Sequence, residues 1–356
     1  MLRAGIVGCG GIAKGKHVPS IVKIKDVEIV ALCDIKTEKM DEFIEKFELK
    51  TAKKYTDYNE MLKTEKLDVV YVLTPNDSHS PISIAAMEAG CHVMCEKPMA
   101  KTVEQAKAML DCAKKTGKIL TIGYQNRFRP DSMYLKKACE RGDLGEVYFA
   151  KAHAIRRRAV PTWGVFLDAE AQGGGPLIDI GTHALDMVLW MMDNYKVKAV
   201  RGNVYRKLAD QTDTGNVWGD WNPQEFTVED SAFGFITMEN GATIVLESSW
   251  ALNTLEIGEA QVTLCGTKAG ADMKDGLRFN KVDLGKQTVI KPGLDAGGVA
   301  FYDAEADNPA DDEAAQFIEC VKTGKTPMVT AEQAFVVTQI LEALYESAKL
   351  GKEIMV

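Results

Sequence analysis

The chain holds 356 residues, 46% apolar and 26% charged, proportions that exclude a fibrous, low-complexity or largely disordered protein. At about 150 residues per domain, this length predicts two domains. Its 43 basic and 51 acidic residues leave a net charge of −8, so neither nucleic acid nor an anionic membrane surface is an expected partner.

The eight cysteines include no C-x-x-C pair, which points to reduced thiols and a cytoplasmic setting. The first apolar stretch, Ala4 to Gly11, is too short for an export signal and runs into Lys14 and Lys16. No uncharged run approaches the roughly 18 residues of a membrane span.

Up to residue 124, short apolar runs alternate with helical ones, predicting an α/β domain with a doubly wound parallel sheet of the Rossmann kind. Strands are expected over Arg3–Gly8, Val27–Asp34, Leu67–Thr74, Cys91–Cys95 and Lys118–Tyr124. Helices are expected over Gly11–Lys25, Thr37–Phe47, Ser80–Gly90 and Thr102–Gly117. The last has Thr102 and Gln105 at capping-box spacing and Gly117 at its end.

The first strand runs into Gly8-Cys9-Gly10-Gly11-Ile12-Ala13, a G-x-G-x-x-A pattern at a strand-to-helix junction. Gly8 allows a tight turn, Gly10 lets the backbone approach a pyrophosphate, and Ala13 permits close helix packing. The helix-start amides, at Gly11 and Ile12, would hold the anion. Asp34 ends the second strand 21 residues past Ala13, placed to accept from both adenosine ribose hydroxyls and to repel a 2′-phosphate. NAD is therefore the expected cofactor, with Lys36 leaving NADP as the second choice.

Thr74-Pro75-Asn76 falls on the carboxyl edge of the sheet, where ligands of such folds bind. Thr74, Pro75, Asn76 and His79 are expected cofactor contacts, against the alternative of a plain turn in which Asn76 and Asp77 cap the next helix. Glu96-Lys97-Pro98 ends the next strand on the same edge. Glu96 and Lys97 are expected at the cofactor, with Pro98 stiffening the backbone that presents the ammonium. Cys91, His92 and Cys95 do not make a metal site, because His92 faces away from both thiols along a strand and no fourth ligand is near.

After residue 124 the rhythm changes, and a second domain is expected. Its strongest feature is Gly173-Gly174-Gly175-Pro176 leading to Asp179, His183 and Asp186. Three glycines read as a flexible entry and Pro176 as a first helical residue. Spacings of four and three put Asp179, His183 and Asp186 on one helical stripe. A carboxylate beside an imidazole can orient it as a base for a hydroxyl proton. The alternative is an acid favoured by the helix dipole and a His satisfied in the core. Ser231–Met238 and Ala242–Trp250 read as a hairpin through Asn240-Gly241, and Thr330 with Gln333 opens a long terminal helix.

Gly8 to Ala13, Asp34, Glu96-Lys97-Pro98 and Gly173 through Asp186 together resemble the glucose-fructose oxidoreductase and inositol dehydrogenase family (Gfo/Idh/MocA). The resemblance implies a Rossmann domain over 1–124 and, over 125–356, an α+β domain with an open, mostly antiparallel sheet for substrate binding and oligomerisation. It implies NAD or NADP chemistry on a small sugar, glycoside or cyclitol, with Lys97, Asp179 and His183 catalytic and touching substrate. It also places substrate choice in Gln125-Asn126-Arg127 and in the loop from Arg156 to Trp163, with Asn126, Arg127, Arg156 and Trp163 as candidate contacts.

In this expectation His183 takes the hydroxyl proton, Asp179 supports the imidazole and Lys97 hydrogen-bonds the same oxygen. Two other functions stay open. One is glycoside cleavage through transient oxidation and elimination, marked by product without net NADH; the other is a non-catalytic NAD-binding sensor. The exposed face of the second sheet is expected to mediate a dimer or tetramer.

Overall fold

The computed structural model describes residues 1–294 and 308–356, which fall into two compact units. The first carries six strands: β1 (Leu2–Val7), β2 (Val27–Cys33), β3 (Lys53–Tyr55), β4 (Val69–Val72), β5 (His92–Cys95) and β6 (Leu120–Ile122). All pair in parallel, in the order β3-β2-β1-β4-β5-β6. This is the Rossmann order, whose direction reverses between β1 and β4. β4 is buried throughout, as helices on both faces require.

β3 has no counterpart among the sequence-expected strands: two exposed lysines and one buried tyrosine carry no apolar run. The expected helix Gly11–Lys25 is also modified, opening with a π-turn at Ala13–His17 before the α-turn Val18–Ile21. The wider turn of a π segment is a frequent mark of functional sites.

A single division at residue 124 does not describe the first unit. The helix Pro309–Thr323 and the residues up to Phe335 belong to it as well. Phe317 and Ile318 complete the apolar cluster of Ala4, Ile6, Leu32 and Tyr71, and Thr121 Oγ1 donates to the Val329 carbonyl at 2.8 Å.

The second unit is built on nine strands: β7 (Val147–Ile155), β8 (Val197–Tyr205), β9 (Ser231–Met238), β10 (Thr243–Ser249), β11 (Gly258–Gly266), β12 (Ala269–Asp272), β13 (Arg278–Asp283), β14 (Lys286–Ile290) and β15 (Ile354–Met355). Their order is β14-β13-β12-β11-β7-β10-β9-β8-β15. Pairing is antiparallel except between β7 and β10.

β9 and β10 form the expected hairpin. Only Gly241 has positive φ, at +87°, so the turn has three residues with a left-handed third position rather than the two-residue form that Asn-Gly favours. Leu344 of the terminal helix Ala331–Leu350 seats on this sheet at Gly202 and Gly234. A Cβ at either glycine would lie 2.5 Å from Leu344.

Candidate active site

In the first unit, Gly8 sits at φ +96°, and a Cβ there would lie 2.6 Å from the Leu73 carbonyl oxygen. Glycine is required at this point by both conformation and space. The space around Gly10 and Gly11 is open, with no atom within 4 Å of a Cβ at either, and Ile12 is exposed. The first intrahelical bond of this turn runs from the Lys14 amide to Gly10 O, 3.0 Å. The amides ahead of Lys14 therefore precede the helix ladder and can receive an anion.

Asp34 closes the far side of this turn. Its Oδ2 accepts from the Cys9 amide at 2.8 Å and its Oδ1 from the Lys36 amide at 2.9 Å. Each oxygen keeps a second lone pair for a ribose hydroxyl. Lys39, rather than Lys36, brings an ammonium close, 3.8 Å from Oδ2. At the end of β4, Thr74 Oγ1 is buried with no hydrogen-bond partner among the described residues. Open space at the glycines, a two-toothed acid and an orphaned hydroxyl on the same sheet edge fit a bound dinucleotide.

Two expected cofactor contacts prove to be supports. His79 is fully buried, its Nδ1 2.8 Å from Pro98 O and its Nε2 2.9 Å from Thr74 O. Burial pushes its pKa down, leaving a neutral ring that braces the Thr74 turn to the Lys97–Pro98 turn. Glu96 is likewise buried. It accepts from Lys16 Nζ at 2.8 Å, pairs with His17 Nε2 at 2.7 Å, and takes the Lys97 amide at 3.0 Å.

Lys16 also meets Glu313 and Gln125 Oε1, each at 2.8 Å. Burial alone would raise the Glu96 carboxyl, but the Lys16 ammonium and the His17 bond hold it well below the usual carboxylate range. Burial would also lower Lys16, and the two glutamates more than reverse that. This ionic cluster fixes the backbone of Lys97. Between Val93 and Ala100, Lys97 alone is not buried.

In the second unit, the glycine run is a packing device rather than a flexible entry. Gly173 ends the short helix Ala169–Gln172 at φ +81°. A Cβ on Gly174 would lie 2.0 Å from Tyr345 Oη, and one on Gly175 2.2 Å from Glu229 O. Glu229, which the sequence reading does not single out, accepts from the Gly175 and Leu177 amides at 2.9 and 3.2 Å and from Tyr345 Oη at 2.8 Å. It caps the site helix, which runs through a π-turn at Leu177–Gly181 into Thr182–Met192. A Cβ on Gly181 would lie 2.9 Å from Ser248 Oγ, so this helix lies close on β10.

From Gly174 to Met191 every residue is buried except Asp179 and His183. Asp179 Oδ2 accepts from Trp250 Nε1 at 3.0 Å, a partner that no sequence spacing reveals. Asp186 leaves the expected stripe. It is buried and paired with Arg127, Nε to Oδ2 at 2.9 Å and Nη2 to Oδ1 at 2.5 Å.

Arg127 is thereby corrected too. Its guanidinium is fully buried, 5.4 Å from the Trp190 ring centroid, and serves the core rather than substrate. Arg156, expected at substrate, is engaged by Glu259 at 2.6 and 2.8 Å. Asn126 is half-buried on a 3-10 turn, and Trp163 is 52% exposed.

His92 Nδ1 accepts the Ile119 amide at 3.0 Å, and no cluster able to hold a metal ion occurs among the described residues. Among the same residues, no helix is long and apolar enough to cross a membrane.

Residues 2–124 match the model of an oxidoreductase family's NAD-binding Rossmann fold, and residues 136–356 that family's C-terminal alpha/beta domain. A D-glucoside 3-dehydrogenase of Escherichia coli is 37% identical over 99% of this chain and 97% of its own length. A myo-inositol 2-dehydrogenase of Thermotoga maritima is 27% identical over 93% and 91%. The aldose-aldose oxidoreductase of Caulobacter crescentus, solved with glycerol, superposes with a TM-score of 0.81 at 25% identity, covering 100% of this chain and 99% of that one. The dinucleotide turn, the acid at Asp34 and matches across both units make this chain a member of the Gfo/Idh/MocA family of NAD-binding oxidoreductases.

Proposed function

We propose that this chain is a D-glucoside dehydrogenase that oxidises a secondary ring hydroxyl, that at C3 foremost, and uses NAD in preference to NADP. The observation that carries the reading is that, between Gly174 and Met191, Asp179 and His183 alone are not buried. Such isolation serves a reacting centre, since a residue needed only for packing would be covered. The choice of substrate class is supported by the relative named for glucoside 3-oxidation, which matches over nearly its full length.

Bound NAD supplies the hydride acceptor. The remaining work belongs to side chains. His183 removes the hydroxyl proton, Asp179, itself held by Trp250, keeps the imidazole oriented, and the Lys97 ammonium hydrogen-bonds the oxygen as its negative charge grows. Asp34 favours NAD because an added 2′-phosphate would meet its charge. A homo-oligomer is part of the same proposal. It is supported by an outward row on the second sheet, where half-exposed Phe235 stands opposite Val245.

The test is NADH absorbance against methyl and phenyl D-glucosides, glucose and myo-inositol, with Lys97→Ala and His183→Ala alongside. NADH should form with the glucosides, and each variant should lower kcat by about 10² while still binding NAD. Oxidation of inositol alone, or full turnover in both variants, would overturn the reading. Cleaved glucoside without net NADH would instead identify elimination chemistry.

A further inference from the structure

Within the second unit, two indoles are held out in the open. Trp163 is 52% and Trp218 44% exposed, packed edge to face with centroids 5.0 Å apart. Their loops are stitched together. Thr162 Oγ1 donates to Trp218 O at 2.9 Å, and Asn216 exchanges bonds with the Val160 backbone at 2.8 and 3.0 Å. The Arg156 guanidinium lies 5.1 Å from the Trp218 ring centroid, anchored by Glu259. A surface held this firmly is no frayed loop, and exposed apolar area of this kind marks a binding function.

The pair is also continuous with the acid. Trp163 contacts Phe166 at 5.9 Å between centroids, Phe166 contacts Trp250 at 6.3 Å, and Trp250 bonds Asp179. An aromatic wall thus leads from the carboxylate to an open indole edge. Next to Trp218 in the chain, Val217 helps to line a cavity of about 440 Å³ with Arg157, Arg158 and Asn253.

Resting on the glucoside reading above, we infer that Trp163 and Trp218 form a subsite for the aglycone ring of the substrate. The occupant is a ring with an apolar face, aromatic or a second pyranose, attached to the glucose whose hydroxyl reacts near Asp179. Rings of this kind lay an apolar face on indole. The enzyme would then select glycosides over free sugar through an extended platform.

The test compares kcat/KM for phenyl and methyl β-D-glucoside in the native enzyme and in Trp163→Ala/Trp218→Ala. The phenyl-to-methyl ratio should drop about tenfold or more. Trp163→Leu, which keeps apolar bulk against Phe166, should lower the ratio in the same direction and serves if the double variant does not fold. Titration of phenyl β-D-glucoside should quench tryptophan fluorescence saturably in the native enzyme and not in the variants. Quenching without turnover keeps the subsite while sinking the glucoside dehydrogenase reading. An unchanged ratio with unchanged quenching rejects the subsite. So does loss of subunits in light scattering while the ratio holds, which would make the indoles an oligomer contact.

Discussion

Trp250, fully buried, donates its indole N–H to Asp179 Oδ2 at 3.0 Å. In the proposed mechanism the ring would act on chemistry only through the carboxylate it holds. Trp250→Phe keeps most of the buried volume and deletes the donor. The expected result is a fall in kcat of about tenfold, ~1.4 kcal/mol in the barrier, with KM changed by less than a factor of about three. A variant that lost KM and kcat together would show that Trp250 shapes binding instead.

Asp34 grips two amides of the dinucleotide turn and faces an ammonium at 3.8 Å. Asp34→Ser removes the carboxylate charge and leaves Lys39 to attract a phosphate. NADP affinity relative to NAD should rise by about tenfold or more, measured by cofactor titration. A preference that stays put would remove Asp34 from cofactor selection.

Arg127 and Asp186 are a buried pair with two bonds at 2.9 and 2.5 Å. Arg127→Met strands a carboxylate whose pKa burial already raises, at a cost of about 3–5 kcal/mol. Arg127→Met/Asp186→Leu should recover much of that loss. Urea unfolding checks both, and a single-variant cost under about 1 kcal/mol would contradict the pairing.

Glu96 sets an acid limit on stability. Its folded-state pKa lies well below the ordinary value, so its contribution is present above roughly pH 4.3 and is lost as pH falls from there through the lowered value. Glu96→Gln should lower the melting temperature at pH 7 and flatten its decline between about pH 4.5 and 3. Parallel acid limbs in the two proteins would show that other carboxylates govern this range.

Much of the first unit is legible in sequence because buried parallel strands are written as apolar runs and Gly8 and Asp34 stand at fixed offsets. The helix ends are legible for the same reason: Thr102 accepts from Gln105 and Gly117 is left-handed, φ +66°. Long-range partners are not legible. Arg127 and Asp186, or Trp250 and Asp179, are joined by folding alone, and helical spacing counts Asp186 with His183 although an arginine 59 residues away decides its environment. The glycine run shows the same limit. Its composition reads as freedom, while Tyr345 and Glu229 make it a contact surface.

Glu313 and Phe317 supply a charge and a ring to the nucleotide-binding fold from almost two hundred residues beyond its sixth strand. During synthesis, the N-terminal stretch must therefore wait, its Lys16 lacking one of its two carboxylates and its sheet lacking part of its cover, until the ribosome has delivered most of the polypeptide. A fragment cut at residue 124 would inherit that unfinished condition permanently.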